Sequence, residues 1–205
     1  METTAGVFWD EKYAVDGYFY GTKPNAWLTS RVDGLKPAGH ALSIADGEGR
    51  NSVWLAEQGL HVTAVDASGR AIAKARALAA ARRVTVEHVH ADLLVWDWPV
   101  GCFDLAVAIF AHFPSTVRPL VHRRVIESLV PGGLVLLEAY SPYQRLHDTG
   151  GPKDLDMLYT AWRLKEDFAG CELLELVEAE TELDEGSGHR GRSAVVRLVA
   201  RRQRR

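Results

Sequence analysis

Apolar and polar positions along this chain follow two different periods, and the switches between them mark out the elements. Ala41–Ile44 is a mostly apolar run that predicts a buried strand, and Asn51–Gln58 has helical spacing and stops at Gly59. His61–Val65 is a second apolar strand, ending on Asp66. Ser68 stands where a helix cap belongs, ahead of Ala71–Arg82, a stretch of strong helix formers. Val84–Val89 alternates as a strand does. Phe103–Phe110 is a long apolar run of the kind found in parallel strands covered on both faces. Thr116–Leu129 is helical in pattern and meets a stop signal at Pro131-Gly132-Gly133, after which Leu134–Tyr140 predicts another buried strand.

Strands that alternate with helices in this way predict an α/β fold built on a Rossmann-like doubly wound sheet. The last part of the chain differs. Glu172–Leu183 and Ala194–Arg201 are strand-like and are joined by the glycine-rich Glu185–Gly191, with His189 inside the connection. So short a link excludes a parallel crossover and predicts an antiparallel hairpin. The expected sheet is therefore mostly parallel and ends in that hairpin. At 205 residues the chain has room for one sizeable domain, residues 1–205, in which residues 1–38 form a segment capping the first strand.

Charge and cysteine content narrow the function classes. A net charge of −3 gives no electrostatic reason to expect nucleic acid or an anionic membrane as partner, and the basic run Arg201–Arg205 reads as a solvated tail. Cys102 and Cys171 fit no zinc or redox motif, so neither a disulfide framework nor a metal site is expected. Met1–Asp10 lacks the apolar centre of a signal peptide, and no apolar run approaches the roughly 20 residues that span a bilayer. These features predict a soluble, cytoplasmic protein. There are no coiled-coil heptads, which leaves monomer and homodimer both open.

The candidate chemistry begins at Leu42-Ser43-Ile44-Ala45-Asp46-Gly47-Glu48-Gly49-Arg50-Asn51, where a strand enters a Gly-x-Gly turn and a helix follows at once. Glycines let backbone approach a ligand, and the helix start offers free N–H groups. Asp66 ends the second strand and Asp92 follows the third, so three acids fall beside one sheet edge. Taken singly, each of these pieces fits a tight turn or a loop acid. Together they point to a nucleoside-bearing cofactor: Asp66 placed for ribose hydroxyls, Asp92 for an adenine amino group. A dinucleotide loop would carry a third glycine where this chain has Ser52, and a second mononucleotide half where it has a hairpin.

With these residues the sequence resembles the class I S-adenosylmethionine-dependent methyltransferases, and within them the tellurite-resistance-type branch. The resemblance rests on Phe8–Tyr13, Tyr20–Asn25, the Gly47–Asn51 loop, Asp66, Leu129–Gly133, Gly150–Lys153 and Asp156–Thr160. It implies S-adenosyl-L-methionine as cofactor and S-adenosyl-L-homocysteine as product. It places Gly47 and Gly49 beside the methionine part, Asp66 at the ribose and Asp92 with Leu93 at the adenine, and adds Asp46, Glu48, Arg50, Asn51 and Ala67 to the cofactor-binding residues. Phe110 would lie near the transferred methyl, and Trp9, Tyr13 and Tyr20 would belong to an N-terminal lid. The chain departs from the family at Ser43, where an acid is usual, and at Ala45, where a glycine is usual. Asp46 stands where it can supply the missing carboxylate, and alanine fits position 45 if φ there is below zero.

On the acceptor side His112 is the candidate base, Arg118 a candidate anion contact and Tyr140 a candidate lining residue. Each also has a plain structural reading: a loop histidine, a surface arginine, a core tyrosine. His122 and His147 read as surface positions. The expected reaction is in-line methyl transfer to a small-molecule acceptor. The altered loop keeps open a non-catalytic cofactor-binding domain and, behind it, an NAD-dependent oxidoreductase.

Overall fold

The computed structural model describes residues 4–147 and 149–204. They fall into two compact units, one running to Asp97 and including Glu185–Gly188, the other covering Trp98–Asp184 and the chain from His189 onward.

The first unit opens with helices α1 (Thr4–Lys12) and α2 (Ala26–Leu35). It continues through β1 (His40–Ile44), α3 (Arg50–Glu57), β2 (His61–Asp66), α4 (Gly69–Arg82) and β3 (Val86–His90). The three strands are parallel in the order β3-β2-β1. Ile44 lies opposite Val65, and Asp66 opposite His90, so the three carboxyl ends finish level. Ala41, Leu42, Ile44, Ala64 and Val65 are all buried, as their apolar runs require. Ser68 caps α4 as expected, its hydroxyl accepting the Ala71 N–H at 3.0 Å. The helix buries the stripe Ala71, Ile72, Ala75, Leu78 and Ala79.

The second unit holds β4 (Phe103–Ile109), α5 (Arg118–Ser128), β5 (Leu129–Tyr140), α6 (Ala161–Asp167), β6 (Cys171–Glu185, its last residue in the first unit) and β7 (His189–Arg202). Its strand order is β4-β5-β7-β6. β4 and β5 are parallel; β5 and β7 are antiparallel, with Tyr140 opposite Val195 and Leu134 opposite Arg201. Ion pairs Arg201–Glu172 and Arg192–Glu180 join the two arms of the terminal hairpin at points that only antiparallel strands bring together. The chain thus has the predicted Rossmann-like, mostly parallel α/β fold ending in an antiparallel hairpin.

Several local expectations change. Pro131-Gly132-Gly133 does stop a helix, but the stop lies inside β5. Pairing jumps from Phe103↔Leu129 to Leu105↔Leu134, so the three residues form a bulge. The hairpin connection shortens to Gly186–Gly188, because β6 runs to Glu185 and β7 starts at His189. His122 is not at the surface: it is 1% exposed, and its Nδ1 faces Asp167 Oδ2 at 2.7 Å. Arg118 is buried too, with Nε 2.7 Å from the same oxygen and its guanidinium 5.6 Å from the Tyr159 ring.

Burial alone would raise the Asp167 carboxyl, but the bonds from His122 and Arg118 outweigh it and hold the group below the usual carboxylate range. Desolvation pushes His122 down, so it donates from Nδ1 as a neutral ring. The triad therefore stabilises the fold at neutral pH. The Asp167 part is lost as pH falls below about 4, through the depressed folded value. Asp167→Asn leaves Arg118 buried without its counter-charge, and should cost about 3 kcal/mol in urea unfolding at pH 7. A loss under about 1 kcal/mol would show that the triad does not anchor α5 to α6.

Candidate functional site

The turn after β1 is built around two buried acids. Asp46 is 8% exposed, and its oxygens accept from Ser43 Oγ at 2.7 Å and Ser52 Oγ at 2.5 Å. Asp66 is 6% exposed and accepts the Gly47 N–H on Oδ2 at 2.7 Å and the Ser68 N–H on Oδ1 at 2.8 Å. Desolvation pushes Asp46 up to about 6, against the serine bonds and with the Asp66 charge adding to the rise. Desolvation also raises Asp66, outweighing the two N–H bonds. Each Asp66 oxygen keeps a lone pair beyond its N–H bond, so the group can still accept hydroxyls.

The expectation for Ala45 is overturned. It adopts φ 47°, the left-handed region, at a cost of about 1–2 kcal/mol for a residue with a Cβ. The twist turns the chain so that Asp46 meets Ser43 three residues back. The glycines divide their roles. A Cβ at Gly49 would come within 2.7 Å of Ala75 Cβ, so that glycine serves α3–α4 packing. A Cβ at Gly47 would meet the Tyr13 hydroxyl at 2.7 Å, so it is Gly47 that lets the N-terminal segment come down on the loop.

Further along the same edge, Asp92 Oδ1 accepts the Leu94 N–H at 2.9 Å, and the half-buried Asp92 opens a turn whose Leu93 is buried. The Ala67 carbonyl faces His90 Nε2 at 3.0 Å.

The N-terminal rings form one cluster. Tyr13 stacks on Trp9 at 5.6 Å between centroids and meets Tyr20 edge-on at 6.3 Å. Tyr13 is buried, and desolvation followed by the Asp66 charge lifts its phenol well above 10, so it stays protonated. Glu48 reaches away from the turn. Its carboxylate accepts the Phe19 N–H at 2.7 Å and the Tyr20 N–H at 3.3 Å, and pairs with Lys74 at 2.8 Å. Arg50 and Asn51 also turn elsewhere: Arg50 pairs with Glu185 Oε2 at 2.6 Å, and Asn51 Oδ1 accepts the Asn25 N–H at 2.9 Å. The side chains of Glu48, Arg50 and Asn51 therefore hold neighbouring protein.

In the second unit Phe110 directly follows β4 at φ 54°, strained for an aromatic residue. Its ring lies 4.6 Å from Tyr140 and 4.3 Å from His189. Sequence reasoning left His189 in a loop; in the structure it starts β7 and is buried. His112 is engaged at both ring nitrogens. Nδ1 faces the Met157 carbonyl at 2.6 Å and must donate, while Nε2 accepts the Tyr140 N–H at 3.2 Å. Desolvation takes its pKa down to about 4, so the ring is neutral with both nitrogens engaged. Arg118, the candidate anion contact, is paired with Asp167. Tyr140 is fully buried between Phe110 and His112.

Comparison with known proteins now adds to this geometry. Residues 41–133 match the methyltransferase domain family.

The solved structures agree on the fold. TehB from Haemophilus influenzae is 21% identical, with a TM-score of 0.70 over 97% of this chain and 67% of its own. N-methyltransferase NodS from Bradyrhizobium japonicum WM9, in complex with S-adenosyl-L-homocysteine, is 15% identical, with a TM-score of 0.70 over 98% and 99% of the two chains. A structure concerned with conversion of a disulfide bond into a thioacetal group during echinomycin biosynthesis is 18% identical, with a TM-score of 0.79 over 98% and 93%. The search of curated proteins finds no match to this sequence. The family match covers residues 41–133, and the solved structures share the fold of this chain.

The domain spans Asp46, Asp66, Asp92, Phe110 and His112, and leaves out Trp9, Tyr13, Tyr20 and Tyr140. Among the described residues no helix is long and apolar enough to cross a membrane, and no group of three or more His, Cys, Asp or Glu could hold a metal ion.

Raising a carboxyl in the fold penalises its charged form, so Asp46 costs the free protein stability progressively as pH rises from about 4, and in full above about pH 6. Asp46→Asn should therefore raise stability at pH 8 by about 1–3 kcal/mol, an advantage that shrinks below pH 6 and is largely gone by about pH 4. Thermal unfolding of the two proteins at both ends of that range checks this; an Asn variant less stable at pH 8 contradicts it.

Proposed function

We propose that this S-adenosylmethionine-dependent methyltransferase holds its cofactor on the turn after β1 and on Asp66, and passes a methyl group in line to a small-molecule acceptor. The observation that carries the reading is the pair of dehydrated carboxylates, Asp46 and Asp66, at the level ends of β1 and β2. Two acids removed from water this close together raise each other's energy, and they persist where a ligand brings compensating donors and positive charge. The donor set fits: Asp66 can accept a pair of ribose hydroxyls, and Asp46 can face an ammonium group. Asp92 would accept an adenine amino group, with the buried Leu93 beside it. Ser52 stands where a dinucleotide loop has its third glycine, and its hydroxyl is engaged by Asp46.

When bound, the cofactor supplies a methyl carbon activated by the positive sulfur. The chain then has to orient that group and exclude water, which is how positioning lowers a displacement barrier. Residues 1–38 act as the cap of the domain, and Trp9, Tyr13 and Tyr20 bring ring faces of the sort that attract a sulfonium. A net charge of −3 favours a small acceptor over nucleic acid.

Calorimetric titration with S-adenosyl-L-homocysteine, and separately with NAD, tests the reading. The wild-type protein should bind the homocysteine product and ignore NAD. Asp66→Ala, checked for folding by thermal melt, should weaken that binding about 10–100-fold, the worth of hydrogen bonds to a charged group. Binding of NAD alone would point to an oxidoreductase. Binding of S-adenosyl-L-homocysteine without turnover of any thiol, amine or oxyanion acceptor would favour a non-catalytic domain.

A further inference from the structure

The tip of the C-terminal hairpin, Glu185–Gly188, belongs to the first unit and lies far from the cofactor turn in sequence. Its contacts fall on two features of that turn. Glu185 is 6% exposed; its Oε2 pairs with Arg50 at 2.6 Å and its Oε1 accepts from Asn25 Nδ2 at 2.8 Å across 160 residues of chain. Asn25 in turn caps α2 through the Leu28 N–H and donates its own N–H to Asn51. One carboxylate therefore orients the first two residues of α3 and the start of α2.

Beyond Glu185 the tip presses on the N-terminal rings. The Phe19 carbonyl accepts from Ser187 Oγ at 3.1 Å and the Gly188 N–H at 3.3 Å. A Cβ at Gly188 would collide with the Tyr20 and Phe19 rings, so only a glycine lets the tip sit so close. From the other side the same segment is held by Glu48, through the Phe19 and Tyr20 N–H groups. Lys74 places all three donors, on the Val15 and Gly17 carbonyls and on Glu48. Asp10 adds an anchor on Ser68 Oγ and the Arg70 N–H at the start of α4.

We propose that Glu185 is a positioning residue of the cofactor site and that the hairpin tip latches residues 15–21 over the turn, so that cofactor entry and release require the tip to lift. The proposal rests on the turn being the cofactor site, as argued above. A buried ion pair adds little net stability against an apolar substitute, but it enforces one arrangement sharply and is costly to break on one side alone.

The test uses the full chain and two variants, Glu185→Gln and Gly188→Ala. Gly188→Ala acts only at the tip, and so decides the matter should Glu185→Gln fail to fold. Two rates are read: hydrogen exchange of the Phe19 and Tyr20 amides without ligand, and dissociation of S-adenosyl-L-homocysteine by stopped-flow fluorescence. Both should rise tenfold or more, with exchange in α4 and β5 unchanged. A merely structural role would loosen the whole unit together. Folded variants with wild-type amide exchange and dissociation overturn the latch. Faster exchange with unchanged dissociation overturns its role in the cofactor site. A wild-type chain that binds no S-adenosyl-L-homocysteine defeats the reading of the turn itself, while amide exchange still judges the latch.

Discussion

Two carboxylates kept out of water at the ends of neighbouring strands are the constraint around which the first unit is arranged. A buried carboxylate persists only where donors meet it, and here every donor comes from a feature that the fold must then preserve. Asp66 takes one N–H from the turn after β1 and one from the turn after β2, so a single side chain fastens two connections whose parallel register brings them level. Asp46 takes two hydroxyls, one from β1 and one from α3. The left-handed twist at Ala45 makes that second arrangement possible. An alanine is tolerated there because the strain it adds is comparable to one hydrogen bond to a charged group.

Around this centre the outer layer consists of charges that hold one another. Glu48 and Lys74 fix the N-terminal segment from below, and Glu185, Arg50 and Asn25 fix it from the hairpin tip. Such pairs contribute modestly to stability, because the desolvation of each ion offsets much of their attraction. What they do supply is a unique arrangement: a hydrophobic contact can slide, whereas a carboxylate shared between an arginine and an amide cannot. The aromatic residues between these pairs fill the space, and the ions set the register in which they do so.

Much of this was legible in the sequence, and the boundary has a physical cause. The buried strands show as apolar runs because parallel strands are covered on both faces, and the acids at their ends show because a glycine or a cap follows each one. Ser68 was readable as a cap because capping acts over three residues. Contacts between distant segments left no local trace. Glu185 looks like any hairpin-end acid, and nothing near position 185 reveals that Arg50 awaits it. His122 and Arg118 occupy helix positions that a polar side chain usually takes at the surface; only Asp167, 45 and 49 residues on, makes their burial possible. The bulge at Pro131-Gly132-Gly133 was misplaced because a Pro-Gly-Gly run halts a helix and disrupts a strand ladder alike.

The second unit sharpens what the chain can do for a reaction. A base at the end of β4 needs a free lone pair and a pKa near the working pH. His112 has neither, for its Nε2 lone pair receives the Tyr140 N–H and its Nδ1–H is given to Met157. Taking up a proton would break the first bond and put a charge where desolvation already drives the pKa down to about 4. Its role is to join the end of β5 to the segment around Met157, which carries Tyr159 and the start of α6. Tyr159, fully buried and bonded to the backbone at Ala111 and Phe113, fixes the same segment from the other side. The polar groups here act on the backbone, and the rings of Phe110, Tyr140 and His189 form the packed surface they hold in place.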